Sequence, residues 1–194
     1  MKKGQIFFIM WVSGAWKWTL INNLKKQKEI DLTFLKSYVT REIRNWEVNW
    51  NIYNFISKEE FEASIKAWEF LEYKLVHKLN YYGTKKAEII DNWINKGEKI
   101  VKEIEIEWLK DILSNNPNLK KYITTIFLDI PKETLVERIE TRWDNITQKE
   151  LENRLISLEN EKKGSKEFCD HIVNTSNISK EETLQFVLNI IKNK

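Results

Sequence analysis

The chain's 194 residues, 42% hydrophobic and 31% charged, predict one domain with a core of its own. A formal net charge of +3 is too mild to point to nucleic acid or an anionic membrane as partner. The longest apolar run, Ile6–Val12, is far too short to span a bilayer, no A-x-A-like cleavage site follows it, and the single cysteine, Cys169, excludes an internal disulfide framework and fits a reducing cytoplasm.

In chain order, the apolar run Ile6–Met10 reads as a strand buried on both faces of a parallel sheet. A loop follows, Trp11-Val12-Ser13-Gly14-Ala15-Trp16-Lys17-Trp18-Thr19, and then a helical stretch over Leu20–Lys26. Strand, loop and helix in that order open an α/β nucleotide-binding fold. Residues 37–57 alternate short β-like pieces with polar turns, Lys58–Phe70 reads as a helix, and 91–95 is polar. Lys99–Glu107 looks like a strand entering a helix, and Tyr122–Ile130 is a second buried strand ended by Pro131. Lys132–Thr141 and Gln148–Lys162 read as charged helices around a polar turn. His171–Asn174 is a last short strand before the helix Lys180–Lys192. No repeat, low-complexity tract or linker interrupts them.

The loop after the first strand has the spacing of a phosphate loop, G-x-x-x-x-G-K-[ST], if positions 11, 16 and 18 are read as glycine. It then becomes G-V-S-G-A-G-K-G-T-L. Such a loop wraps backbone N–H groups around phosphates at a helix N-terminus, which leaves no room for side chains and demands positive φ at some positions. An indole at 16 would stand where phosphate oxygens belong, so residues 11–19 as written cannot bind a nucleoside triphosphate. The other reading makes Trp11, Trp16 and Trp18 aromatic core contacts beside an ordinary lysine; it must then explain why Gly14, Lys17 and Thr19 keep this spacing.

The stretch Ser37-Tyr38-Val39-Thr40-Arg41-Glu42-Ile43-Arg44-Asn45-Trp46-Glu47-Val48-Asn49-Trp50-Asn51-Ile52-Tyr53-Asn54-Phe55 closely resembles the guanylate kinase signature S-x-T-T-R-x-x-R-x-G-E-x-x-G-x-x-Y-x-F. Ala67-Trp68-Glu69-Phe70-Leu71-Glu72 is similar to that family's x-G-x-F-L-E, and Asn80-Tyr81-Tyr82-Gly83-Thr84 to its N-Y-Y-G-T. The residue types suit a nucleoside monophosphate. Two arginines can clamp a dianionic phosphate, and a carboxylate can accept from guanine N1–H and N2–H, which adenine does not offer. The resemblance implies Arg41, Arg44, Tyr53 and Tyr82 as phosphate holders, with Ser37, Glu72 and Thr84 reading the base. His77, in a loop one residue longer than the family's, is left on the surface.

Lys102-Glu103-Ile104-Glu105-Ile106-Glu107-Trp108-Leu109 resembles the family's L-D-I-D-x-Q-G-x, with Glu105 in place of an aspartate that helps read guanine. Residues 135–144 resemble its lid entrance, L-x-x-R-L-x-x-R-G-x-D, and Arg154 its far-side arginine. Arg138, Arg142 and Arg154 are thereby implied as cations that arrive when the site closes, joining Lys17 and Arg41 in catalysis. Asn174 resembles a residue near the adenine.

The resemblance implies a P-loop three-layer α/β/α core with a parallel sheet, at about 1–36, 85–139 and 159–194. A GMP-binding insertion at about 37–84 and a small helical lid at about 140–158 join it. It also implies ATP and GMP as substrates, with Trp11, Val12, Ser13, Gly14, Ala15, Trp16, Lys17, Trp18 and Thr19 forming the ATP loop. Mg²⁺ would bridge the donor phosphates; no protein metal ligand is assigned, because position 18 lacks a hydroxyl.

There are 9 tryptophans and only 5 glycines, and the two together make up roughly the usual glycine share of about 7%. Tryptophans 11, 16, 18, 46, 50, 68, 108 and 143 fall where the family or related P-loop kinases have glycine, and Trp93 lies in a polar turn. A source code that reads UGA as glycine, translated with a table that reads it as tryptophan, makes this pattern. If the tryptophans are real, the alternative is a catalytically dead guanylate-kinase-like module that binds phosphopeptides. Paired arginines alone would also allow a P-loop kinase for another monophosphate.

Overall fold

The computed structural model describes residues 4–12, 17–44, 47, 53–76, 78–89, 96–142 and 147–194, side chains 138–142 excepted. Strand β1 (Gln5–Trp11) leads to helix α1 (Lys17–Lys25) and three short strands, β2 (Leu32–Phe34), β3 (Ser37–Val39) and β4 (Tyr53–Phe55). Helix α2 (Lys58–Lys66) precedes a hairpin of β5 (Phe70–Val76) and β6 (Asn80–Lys85). Strand β7 (Lys99–Glu103) runs into α3 (Ile106–Asn115), and a 3-10 turn at Pro117–Tyr122 enters β8 (Ile123–Asp129). Helices α4 (Lys132–Arg142) and α5 (Gln148–Phe168) come next, then β9 (His171–Asn174) and α6 (Lys180–Lys192).

Two sheets result. The central one has the order β2-β7-β1-β8-β9, with every pairing parallel. The continuous apolar sequence of β1 explains its central place: Ile6, Phe7, Phe8, Ile9 and Met10 are all buried, as a strand covered by helices on both faces requires. Leu20, Ile21 and Leu24 of α1, Ile106, Leu109 and Ile112 of α3, and Leu184, Val187, Leu188 and Ile191 of α6 close the same core. Their i, i+3, i+4 spacing gives each helix one apolar stripe. This is the expected α/β core with a parallel sheet flanked by helices.

The second sheet, β4-β3-β6-β5, lies within the segment 37–85. Pairing of Tyr38 with Gly83 and of Glu72 with Thr84 fixes its register. Side chains alternate across a strand, so this register divides the sheet into two faces. Phe70 and Tyr81 stack on Phe61 of α2 at 4.2 and 5.1 Å between ring centroids. Gly83 lies under that stack. A Cβ there would come 2.8 Å from the Glu72 carbonyl oxygen and 2.9 Å from Phe70, so no larger residue fits without moving backbone. The opposite face carries Ser37, Tyr53, Glu72, Tyr82 and Thr84.

Helix α2 is shorter than its sequence pattern predicts, ending at Lys66, with Phe70 already in β5. Position 68 is the reason. Trp68 N–H donates to Ile65 O and Glu69 N–H to Ser64 O, both at 3.0 Å, which is the paired closure of a left-handed helix cap. Trp68 accordingly has φ +57°, and its indole is 81% exposed. A cap of this kind favours glycine, and a bulky side chain there is strained with no burial to offset it. Trp68→Gly should therefore raise stability by about 1 kcal/mol, or the unfolding midpoint by about 2–4 °C. Thermal melts of the two chains check it; a lowered midpoint would contradict the backbone argument. Helix α5 instead outruns its predicted end at Lys162, continuing to Phe168, and Gly164 lets Ile106 pack directly against it. Strand β2 and the β5–β6 hairpin are elements the sequence reading does not contain.

Candidate active site

The polar face of the second sheet meets the C-terminal end of β7 around a cavity of about 280 Å³ lined by Ser37, Tyr53, Tyr82, Lys102, Glu105 and Trp108, among others. Glu72 lies behind this wall, directly across the ladder from Thr84, and both are buried. Thr84 Oγ1 donates to Glu72 Oε1, while Oε2 is buried with no hydrogen-bond partner among the described residues. Burial pushes the Glu72 carboxyl pKa up; the Thr84 hydrogen bond and the charges of Lys102 and Lys74 pull the other way. A buried acceptor left open is costly unless a ligand donates to it.

Arg41, just past β3, is 11% exposed and gripped from several sides. Both terminal nitrogens donate to the Glu47 carboxylate at 2.6 Å, Nε donates to Tyr82 Oη at 3.1 Å, and the guanidinium lies 5.1 Å from the Tyr53 ring centroid. Glu47 in turn accepts from the Arg44 backbone N–H at 3.0 Å and is buried. The Glu47 hydrogen bonds hold Arg41 above its ordinary pKa, and the Arg41 hydrogen bond holds the Glu47 carboxyl below its own. Three of the expected phosphate holders, Arg41, Tyr53 and Tyr82, are thus in mutual contact. Glu47 is a site residue to which sequence reasoning gives no role; its only signal is its fixed place in the signature. Tyr53 is pushed upward, chiefly by burial. Arg44 is exposed.

Lys17 opens α1, and its ammonium pairs with Glu103 at the end of β7, 3.1 Å away. It also lies 4.3 Å from the Trp11 ring centroid and 4.9 Å from that of Trp18. A second, larger cleft of about 840 Å³ lies on the other side of Trp11 and Lys17, bounded by Glu105, Ile106, Phe127 and residues 157–167 of α5. Trp11 and Lys17 line both clefts, so the lysine stands between the two spaces that paired substrates would need. Val12 is buried, and Thr19 is half-buried on α1. Arg154 is half-buried on α5, away from both linings.

Ser13, Gly14, Ala15, Trp16, Trp46, Trp50, His77, Trp93 and Trp143 lie outside the described residues, as do the side chains of Arg138 and Arg142. Glu105 stands at the N-cap of α3, exposed, with Trp108 one turn on. Among the described residues no helix is long and apolar enough to cross a membrane.

A parallel sheet whose first strand leads to a helix opened by Lys17, beside a second sheet that carries a buried carboxylate, is the frame of a nucleotide-binding α/β protein. A family model described as guanylate kinase matches residues 4–194. The guanylate kinase of Clostridioides difficile (strain 630) is 32% identical over 194 residues, spanning 100% of this chain and 91% of that protein. The guanylate kinase of Fusobacterium nucleatum is 32% identical over 196 residues, spanning 100% and 98%. The crystal structure of guanylate kinase from Anaplasma phagocytophilum matches with a TM-score of 0.72 at 20% identity, covering 100% of this chain and 87% of that one. The chain belongs to the guanylate kinase family, an enzyme family of nucleotide kinases.

Proposed function

We propose that the protein transfers the γ-phosphoryl group of ATP to GMP, giving ADP and GDP. The observation that carries this reading is the buried, open Oε2 of Glu72, across the sheet from Thr84 and behind a cavity lined by Ser37, Tyr53 and Tyr82, with Arg41 bonded to that Tyr82. Guanine brings two N–H donors to such an acceptor; adenine brings none at the corresponding edge. In this reading residues 37–84 hold GMP, about 140–158 form the lid, and the remainder carries ATP.

Catalysis of phosphoryl transfer is mostly positioning and charge. Lys17 sits at the N-terminus of α1, where the helix dipole also favours phosphate, and would take the donor phosphates. Arg41, held in place by Glu47 and Tyr82, meets the acceptor phosphate with little rotamer freedom left to lose. Arg138, Arg142 and Arg154 supply cations from the lid side, and Arg44 supplies another. Glu103 puts a carboxylate oxygen 3.1 Å from Lys17 and Glu105 lines both clefts, hard oxygens that would suit Mg²⁺ held mainly by substrate phosphates and water. When bound, that ion neutralises charge on the donor phosphates.

A coupled assay with GMP, AMP and dTMP tests the reading. Glu72→Gln should lower kcat/KM for GMP by about 10- to 150-fold, the equivalent of about 1.5–3 kcal/mol, and relax the preference over AMP, because an amide places a donor against guanine's own donors. Unchanged preference would remove Glu72 from base reading. A protein acting on AMP or dTMP alone would be a kinase for another monophosphate. One that turns over none of the three while binding phosphopeptides would be the dead module.

A further inference from the structure

Lys102 breaks the pattern of β7. The strand is otherwise covered on both faces, and the family signature that this segment resembles has leucine at the same place. Yet Lys102 is only 2% exposed. Its Nζ donates to Ser37 Oγ at 2.9 Å and is the only lysine ammonium other than that of Lys17 among the named lining of the 280 Å³ cavity. An ammonium has three N–H bonds; the two others have no hydrogen-bond partner among the described residues. The charges facing it are Glu72, Glu103 and Glu88. A buried cation with unused donors beside a buried carboxylate with an unused acceptor is expensive when empty. A ligand that is an acceptor on one edge and a donor on the next removes both penalties.

We infer that Lys102 is a specificity-determining residue, donating from the Ser37 side of the pocket to O6 and N7 of the guanine whose N1–H and N2–H edge faces Glu72. Guanine presents those two acceptors side by side, and lysine is a favoured partner for them. Adenine puts an amino donor in place of O6, against which the ammonium has nothing to give. Purine choice is then made on two edges: Glu72 requires donors and Lys102 requires acceptors. Burial depresses the Lys102 pKa, so a bound acceptor also helps keep the ammonium charged.

The assignment rests on GMP being the acceptor, and the experiment separates the two claims. Steady-state kinetics are measured on the full chain with glycine at the nine tryptophan positions, using GMP and 7-deaza-GMP, which lacks N7. The parent should show a KM for 7-deaza-GMP about tenfold above that for GMP at similar kcat. Lys102→Met should raise the KM for GMP by about tenfold or more and bring the two KM values together. Equal KM values in the parent overturn the assignment, and this arm decides alone if Lys102→Met does not fold. A folded Lys102→Met that keeps its KM for GMP overturns it too. So does one whose KM rises while the 7-deaza penalty persists, since the lysine would then act on Glu72 and not on the base. A parent that turns over AMP but not GMP overturns the function and this inference with it.

Discussion

With glycine at positions 11, 16 and 18, the protein should phosphorylate GMP at least about 10³-fold faster than the chain carrying tryptophan there. Two effects act in the same direction. Trp11 lines both clefts, so its indole occupies the boundary that a donor phosphate must cross. Lys17 is meanwhile engaged by two rings and a carboxylate, each ring contact worth about 0.5–1 kcal/mol at an exposed site. A triphosphate would have to break these contacts before it gained any of its own. Removing the rings frees the ammonium and opens the backbone N–H groups to approach. The same coupled assay on the two chains measures this. Comparable activity in both would refute the account of the loop. Codons at the nine sites, or the intact mass of the protein from its own source, give an independent check. UGA codons and a mass lower by nine Trp-to-Gly exchanges support recoding, and UGG sinks it.

The second large effect concerns the lysine itself. Lys17→Ala in the glycine form should cost at least about 10²–10³-fold in kcat, while the Kd for GMP stays within about twofold. The split follows from placement: Lys17 lies at the start of α1 beside Trp11 and Glu103, whereas Glu72 lies in the second sheet and Arg41 just past its strand β3. Single-turnover kinetics combined with GMP titration separate the two quantities. Retained kcat would take Lys17 out of phosphoryl transfer. A large loss of GMP affinity would place it on the acceptor instead.

The central sheet was legible because its strands announce themselves. Ile6–Met10 is an unbroken apolar run, Ile123–Leu128 is interrupted only by Thr124 and Thr125, and capping-box serine and threonine at 179 and 147 mark the helices that follow. The second sheet was less so. Strands of three residues, such as Leu32–Phe34, are too short to show a period, and the end of α2 depends on a left-handed cap whose glycine signal is hidden beneath a tryptophan. Ser37, Tyr53, Glu72, Tyr82 and Thr84 were named from their motif, but that they share one face depends on register, which no motif states. Glu47 and Lys102 escaped for opposite reasons. Glu47 works through another residue and touches the site only by way of Arg41, while Lys102 stands where the resembled motif has leucine, so the motif gives it no role and only its burial in β7 reveals it.

In the proposed reading, the close approach at Gly83 ties substrate choice to backbone spacing. The atom nearest a Cβ there is the Glu72 carbonyl oxygen, on the strand whose Glu72 side chain lies on the opposite face with Ser37 and Thr84. Enlarging residue 83 would press on the strand carrying that carboxylate and shift it relative to Ser37 and Lys102. Such a lesion sits on the far side of the sheet from any ligand, yet it would show first as loss of fidelity between purines and only later as loss of fold. The hairpin therefore behaves as a calibrated spacer, and glycine at 83 sets its zero.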